Sequence, residues 1–129
     1  MPIHMVKSLT AIGVSVLLLL GLALFEWFFV HDQFEAFSEE LETLYDKVEN
    51  ETANGEDAKA VQTVWDRRKN KLHVWIPHND ITRMDDYLAE AVQLVADRNY
   101  ALALPKLELL LHLCETVPGT FEPGVENIF

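Results

Sequence analysis

From Leu9 to Phe25 seventeen consecutive residues carry no ionisable side chain, and after Glu26 the apolar run resumes as Trp27-Phe28-Phe29-Val30. With its aromatic flank the stretch reaches roughly 20 residues, enough at about 1.5 Å per residue to match the hydrocarbon thickness of a bilayer. It predicts a transmembrane helix. A cleaved signal peptide is the competing reading, because Lys7 precedes the apolar core and Gly21-Leu22-Ala23 offers a small-x-small site. Cleavage there would leave Leu24 to Val30 as a new apolar terminus, so the retained anchor is preferred.

Beyond Val30 the period changes. Phe34, Phe37, Leu41, Leu44 and Val48 recur at alternating spacings of three and four, with Glu and Lys between them, which describes an amphipathic helix. No Pro or Gly interrupts the chain between Gly21 and Gly55, so this stalk can continue the apolar helix, and Asn54-Gly55 is expected to end it through a left-handed turn. A further helix fits from about Glu56 to Trp75, with Ala58, Val61, Val64, Trp65, Leu72 and Trp75 on its apolar side and Pro77 as its stop. Asn79 or Asp80 is expected to cap the next, whose stripe is Ile81, Met84, Leu88, Ala91, Val92 and Val95. After the turn Asp97-Arg98-Asn99, a last helix runs to about Val117 with Ala101, Leu104, Leu107, Leu111 and Cys114 inward and Pro105 early enough to be tolerated.

A displacement of 43 positions carries Leu41, Tyr45, Val48, Ala58, Val61 and Val64 onto Met84, Leu88, Ala91, Ala101, Leu104 and Leu107. Two similar helical hairpins follow. The expected fold is all-α: one N-terminal transmembrane helix, then an antiparallel bundle of about four helices. Residues 1–30 form the cytoplasmic N-terminus and anchor, 31–118 the bundle, and 119–129 a tail containing Pro123 and ending in Asn127-Ile128-Phe129.

Charge is segregated as strongly as hydropathy. Of 10 basic and 21 acidic side chains, only Lys7 and Glu26 precede residue 31, so the remainder carries a net charge of −11. Nucleic acid is excluded as a partner on this ground, and anionic headgroups are repelled at long range. The positive-inside rule, with Lys7 on one side of the span and Asp32, Glu35, Glu39 and Glu40 on the other, places the N-terminus in the cytoplasm and the bundle outside the cell membrane. Cys114 is the single cysteine and reads as a buried, inert thiol.

Chemistry-bearing clusters are few. His73, His78, Asp80, Asp85 and Asp86 gather around Pro77, but their spacing follows no metal-ligand pattern, and helix-start acids are expected there on electrostatic grounds. Asp85-Asp86, like Glu39-Glu40, is assigned to a solvent face. Arg67-Arg68-Lys69-Lys71 is the one basic run and most simply pairs with carboxylates on neighbouring helices, the alternative being a docking patch for an acidic loop or for lipid headgroups. Phosphate-loop, nucleophile-elbow and His-Glu-x-x-His patterns are absent, so no enzyme, metal or cofactor is expected.

Trp65-x-x-x-Lys69, Trp75-Ile76-Pro77-His78-Asn79-Asp80-Ile81, the turn before Ala101 and the closing Glu126-Asn127-Ile128-Phe129 give the chain a family likeness over nearly its whole length. It resembles a bacterial domain-of-unknown-function family, number 4363, of short N-terminally anchored helical proteins, with Asp80 at a place where that family more often has Glu. Members are often encoded beside a multi-spanning membrane protein, and the resemblance implies an accessory subunit. The expected role is therefore contact with another integral membrane protein, alongside the bilayer gripped by the N-terminal helix. Candidate contact residues are Glu26, Trp27, Arg67, Arg68, Trp75, His78, Asp80, Asn127, Ile128 and Phe129. An extracytoplasmic module sensing a ligand or cation through the acidic surface is the second expectation.

Overall fold

The computed structural model describes residues 2–121, with side chains from Pro2 to Pro118. Four helices account for it: α1 (Ile3–Glu49), α2 (Gly55–Leu72), α3 (His78–Ala96) and α4 (Tyr100–Phe121). The apolar segment and the stalk are one uninterrupted helix of 47 residues. At 1.5 Å per residue α1 is about 70 Å long.

The two halves of α1 live in different surroundings. Residues from Ile3 to Phe28 expose their large apolar side chains, and the segment that is long and apolar enough to cross a membrane has none of its surface buried in the protein. From Val30 onward the stripe Phe34, Phe37, Leu41, Leu44 and Val48 is buried completely or nearly so. That upper half is the first helix of an up-down-up-down bundle, in which α1 lies beside α2 and α4, and α3 closes the ring against the same two.

The core follows the amphipathic stripes read from the sequence. Ala58, Val61, Trp65 and Leu72 from α2 and Ile81, Met84, Leu88, Ala91, Val92 and Val95 from α3 are buried, with Val64 and Trp75 packed against them. On α4 the inward face is Ala103, Leu107, Leu110, Leu113, Cys114 and Val117; Ala101 is exposed, and Leu104 and Leu111 flank the core. The expected stripe was rotated because a leucine-rich helix offers several adjacent apolar faces. α4 also extends past Val117 to Phe121 with Pro118 inside it. A proline removes one helical hydrogen bond, to the carbonyl four residues back.

Both upper turns share one C-terminal motif, placed differently from expectation. The N–H groups of Asn50, Glu51 and Thr52 donate to the carbonyls of Asp46, Val48 and Lys47, and those of Asp97, Arg98 and Asn99 to Gln93, Val95 and Leu94. Glu51 and Arg98, each at φ 59°, hold the left-handed positions, and no described glycine does. The offset between the motifs is 47, and it superposes Phe34, Phe37, Leu41, Leu44 and Val48 on Ile81, Met84, Leu88, Ala91 and Val95. The offset of 43 read from the sequence differs by one helical turn, which periodicity cannot detect.

Asn54 therefore starts α2 and does not end α1. Its side chain accepts from the Asp57 N–H at 2.9 Å while Asp57 accepts from the Asn54 N–H at 3.0 Å, a complete capping box. The hydrogen bond from the Asn54 backbone holds the Asp57 carboxyl below its ordinary range, against a small opposing effect of burial, and Lys47 at 3.3 Å adds to it. Asn79 and Asp80 do not cap α3, whose N-cap is Pro77 without a side-chain bond; the helix follows the extended backbone of Pro77 and starts two or three residues earlier than expected. Tyr100 Oη donates to the Ala53 carbonyl at 2.7 Å and ties the two upper turns together.

Asn54→Ala should lower unfolding stability by about 1 kcal/mol, measured by denaturant titration followed by circular dichroism. Because Asp57 is depressed in the folded state, its contribution is present above the ordinary carboxylate range and is lost as pH falls through its folded value. The stability difference between the parent and Asp57→Asn should shrink over that acidic window.

Candidate functional site

The lower end of the bundle, where α2 runs into α3 beside the start of the buried part of α1, gathers most of the chemically distinctive side chains. Its register is fixed by cross-helix contacts. Trp65 packs against Phe34 and Phe37, with ring centroids 6.4 and 5.0 Å away, and Arg68 donates to the Gln33 Oε1 at 2.8 Å. α2 thus descends toward the apolar half of α1, and its last turn lies at the level where the exposed apolar surface begins.

Trp65 is 1% exposed and the largest of the fully buried side chains. Its indole N–H donates to the Asp85 Oδ1 at 2.6 Å, and Lys69 reaches the same oxygen at 3.2 Å and Asp66 at 3.4 Å. Asp85 is half-buried at this seam and not on a free solvent face as its sequence position suggested. A buried indole needs an acceptor, and a carboxylate so placed needs a cation, so the three residues satisfy one another. Burial alone would lower the Lys69 pKa, but its hydrogen bond to Asp85, with Asp66 beside it, holds it above the ordinary lysine range.

The rest of the basic run behaves differently. Among the described residues no carboxylate lies within ion-pair distance of Arg67, Arg68 or Lys71. The expected pairing with neighbouring carboxylates is met by Lys69 alone. The three unpaired cations, with Gln33 and Val64, line a groove of about 210 Å³ that opens to solvent. The Arg68 Nε is buried without a hydrogen-bond acceptor, so this guanidinium is balanced only by the neutral Gln33 amide.

The other candidate residues lie outside the lining of this groove. Glu26 and Trp27 are half-buried on α1, and the Trp27 ring stacks on His31 at 4.2 Å while the His31 Nδ1–H donates to the Trp27 carbonyl. Trp75 is half-buried against the core, and His78 is exposed with its Nε2 3.4 Å from the Thr82 hydroxyl. Asp80 pairs with Arg83 at 3.3 Å. Asn127, Ile128 and Phe129 lie outside the described residues. Among the described residues no three His, Cys, Asp or Glu side chains come together in a metal-binding arrangement.

Gln33 and Val74 were not among the candidates, and Lys71 was named only as part of the basic run. Val74 is 73% exposed in the turn between α2 and α3, next to Trp75. A polar Gln33 beside the apolar stripe and a single valine beside a proline turn carry no signal of a site in the sequence.

A family profile described as Domain of unknown function (DUF4363) matches residues 28–128. No curated protein and no solved structure matches the chain.

Trp65→Ala should destabilise the bundle by about 3–5 kcal/mol, and Asp85→Ala, which strands the indole N–H, by about 1–3 kcal/mol; both are measurable by chemical denaturation. Burial pushes the Cys114 thiol up to about 12. Iodoacetamide at neutral pH should leave Cys114 unmodified in the folded protein and alkylate it once denaturant unfolds the chain, as followed by mass spectrometry.

Proposed function

Since the chain belongs to the DUF4363 family, whose description assigns no reaction, we propose that it is a single-pass membrane-anchored interaction subunit without catalytic activity. In this reading the lower half of α1 is retained in the bilayer with its N-terminus in the cytoplasm, and the bundle stands on the outer side against another integral membrane protein.

The observation that carries this reading is the continuity of α1. A core helix of a water-soluble protein buries its apolar surface; here that surface is bare up to Phe28 and the same helix then enters the bundle at Val30 without a break. Cleavage after Ala23 would leave Phe25 and Phe28, 62% and 61% exposed, facing water at the start of a folded domain. The pairing of a bare apolar helix with a small rigid bundle suits attachment and recognition, and the only site with unsatisfied polar chemistry described above is a surface groove of cations, which suits binding.

Native membranes carrying the tagged full chain should retain it through sodium carbonate washing, and protease added outside should digest the bundle. Chemical crosslinking followed by mass spectrometry should then recover a membrane protein in stoichiometric amount. Release by carbonate, or protection of the bundle in intact cells, overturns the placement; recovery of the chain alone overturns the subunit role.

A further inference from the structure

The apolar half of α1 and the lower end of the bundle meet at a level that can be located by residue. A hydrocarbon core of about 30 Å takes up about 20 helical residues, which, counted from Leu9, ends at Phe28. Gln33 stands five residues higher, about 7.5 Å along the axis, and the polar headgroup layer is about 5–7 Å deep. Arg68 is bonded to Gln33, so the groove of Arg67, Arg68 and Lys71 begins at the outer edge of the headgroup layer, and Lys71, about 4.5 Å further down α2, reaches into it. The four residues from Arg68 to Leu72 carry α2 about 6 Å further down, and the turn that follows, closed by the Trp75 and Ile76 N–H groups on the Leu72 carbonyl, places Val74 at the bottom of the bundle.

We infer that this end of the bundle is a lipid-binding rim: Arg67, Arg68 and Lys71 bind phosphate groups of outer-leaflet phospholipids while Val74 and Trp75 enter the boundary between headgroups and acyl chains. The inference rests on the membrane placement proposed above. Three properties favour lipid over an acidic protein loop. The cations sit at headgroup level, among the described residues they have no carboxylate partner in a protein that has twice as many acids as bases, and they are joined to an exposed valine and a half-buried tryptophan, the pairing that suits an interface with one wet and one apolar side. Asp32 and Glu35 share this height on α1 and are exposed. They oppose anionic lipid and confine the attraction to the α2 side. Charges on the upper turns are separated from the bilayer by more than a screening length of about 8 Å at physiological salt, so the net acidity of the bundle does not prevent a local basic contact.

The test uses nitroxide labels on the full chain carrying Cys114→Ala, reconstituted in phosphatidylcholine vesicles with and without phosphatidylglycerol. Labels are placed at Leu18→Cys, Val74→Cys and Arg98→Cys, and depth is read from collisions with oxygen and with a water-soluble nickel chelate. The label at position 74 should report the headgroup boundary and the label at 98 bulk water. Boundary immersion at 74 should deepen with phosphatidylglycerol and be lost in the Arg67→Gln, Arg68→Gln, Lys71→Gln variant, whose helical circular dichroism is checked against the parent. A label at 18 that reports water overturns the anchor itself. A label at 18 in hydrocarbon with 74 in water overturns the rim alone and leaves the groove to an acidic partner protein. Immersion at 74 that is indifferent both to phosphatidylglycerol and to the triple variant overturns the role of the cations.

Discussion

Everything distinctive about this molecule depends on one helix remaining unbroken where its surface changes from bare and apolar to buried in the bundle. α1 has no proline or glycine between Gly21 and its end at Glu49, so its backbone hydrogen bonds run through Glu26, Trp27 and Val30 without a hinge. A hinge would have separated the apolar segment from the bundle and left their geometry free. Without one, the burial of Phe34 and Phe37 also fixes which faces of Leu22, Phe25 and Phe28 point away from α2. The core of the bundle orients the bare half of the helix.

The second constraint is the seam built on Trp65. Its ring fills the space against α1 and its N–H requires a carboxylate on α3, so one side chain couples three helices. Lys69 then serves Asp85, and this assigns the basic run its division of labour: the lysine facing α3 is consumed by structure, whereas Arg67, Arg68 and Lys71 point to the other side of α2 and stay unpaired. The adjacent cation groove is a by-product of satisfying a buried indole.

Much of the fold was legible because the upper half of α1 and α3 each carry one dominant apolar stripe, and every residue of those two stripes is buried. Legibility failed where two answers share a period. The hairpin offset missed by one turn, and the leucine-rich face of α4 let Ala101 stand where Ala103 belongs. It also failed where local chemistry has two uses: Asn54 reads equally as the end of one helix or the start of another, and only the reciprocal bond with Asp57 decides. Of the candidate site, the basic run was visible as composition, but the exclusion of Lys69 from it and the enlistment of Gln33 arise from pairings between helices distant in sequence. No pattern along one chain encodes which of four adjacent cations finds a carboxylate.

The rigidity of α1 also makes the molecule a lever. Spanning helices tilt by about 20° on average, by more in a thin bilayer and less in a thick one. From Val30 to Glu49 the shaft rises about 28 Å, so a tilt of that size carries the upper turns at Glu51 and Arg98 about 10 Å sideways. In the proposed placement bilayer thickness would thereby be converted into lateral reach, with the proposed rim as the fulcrum.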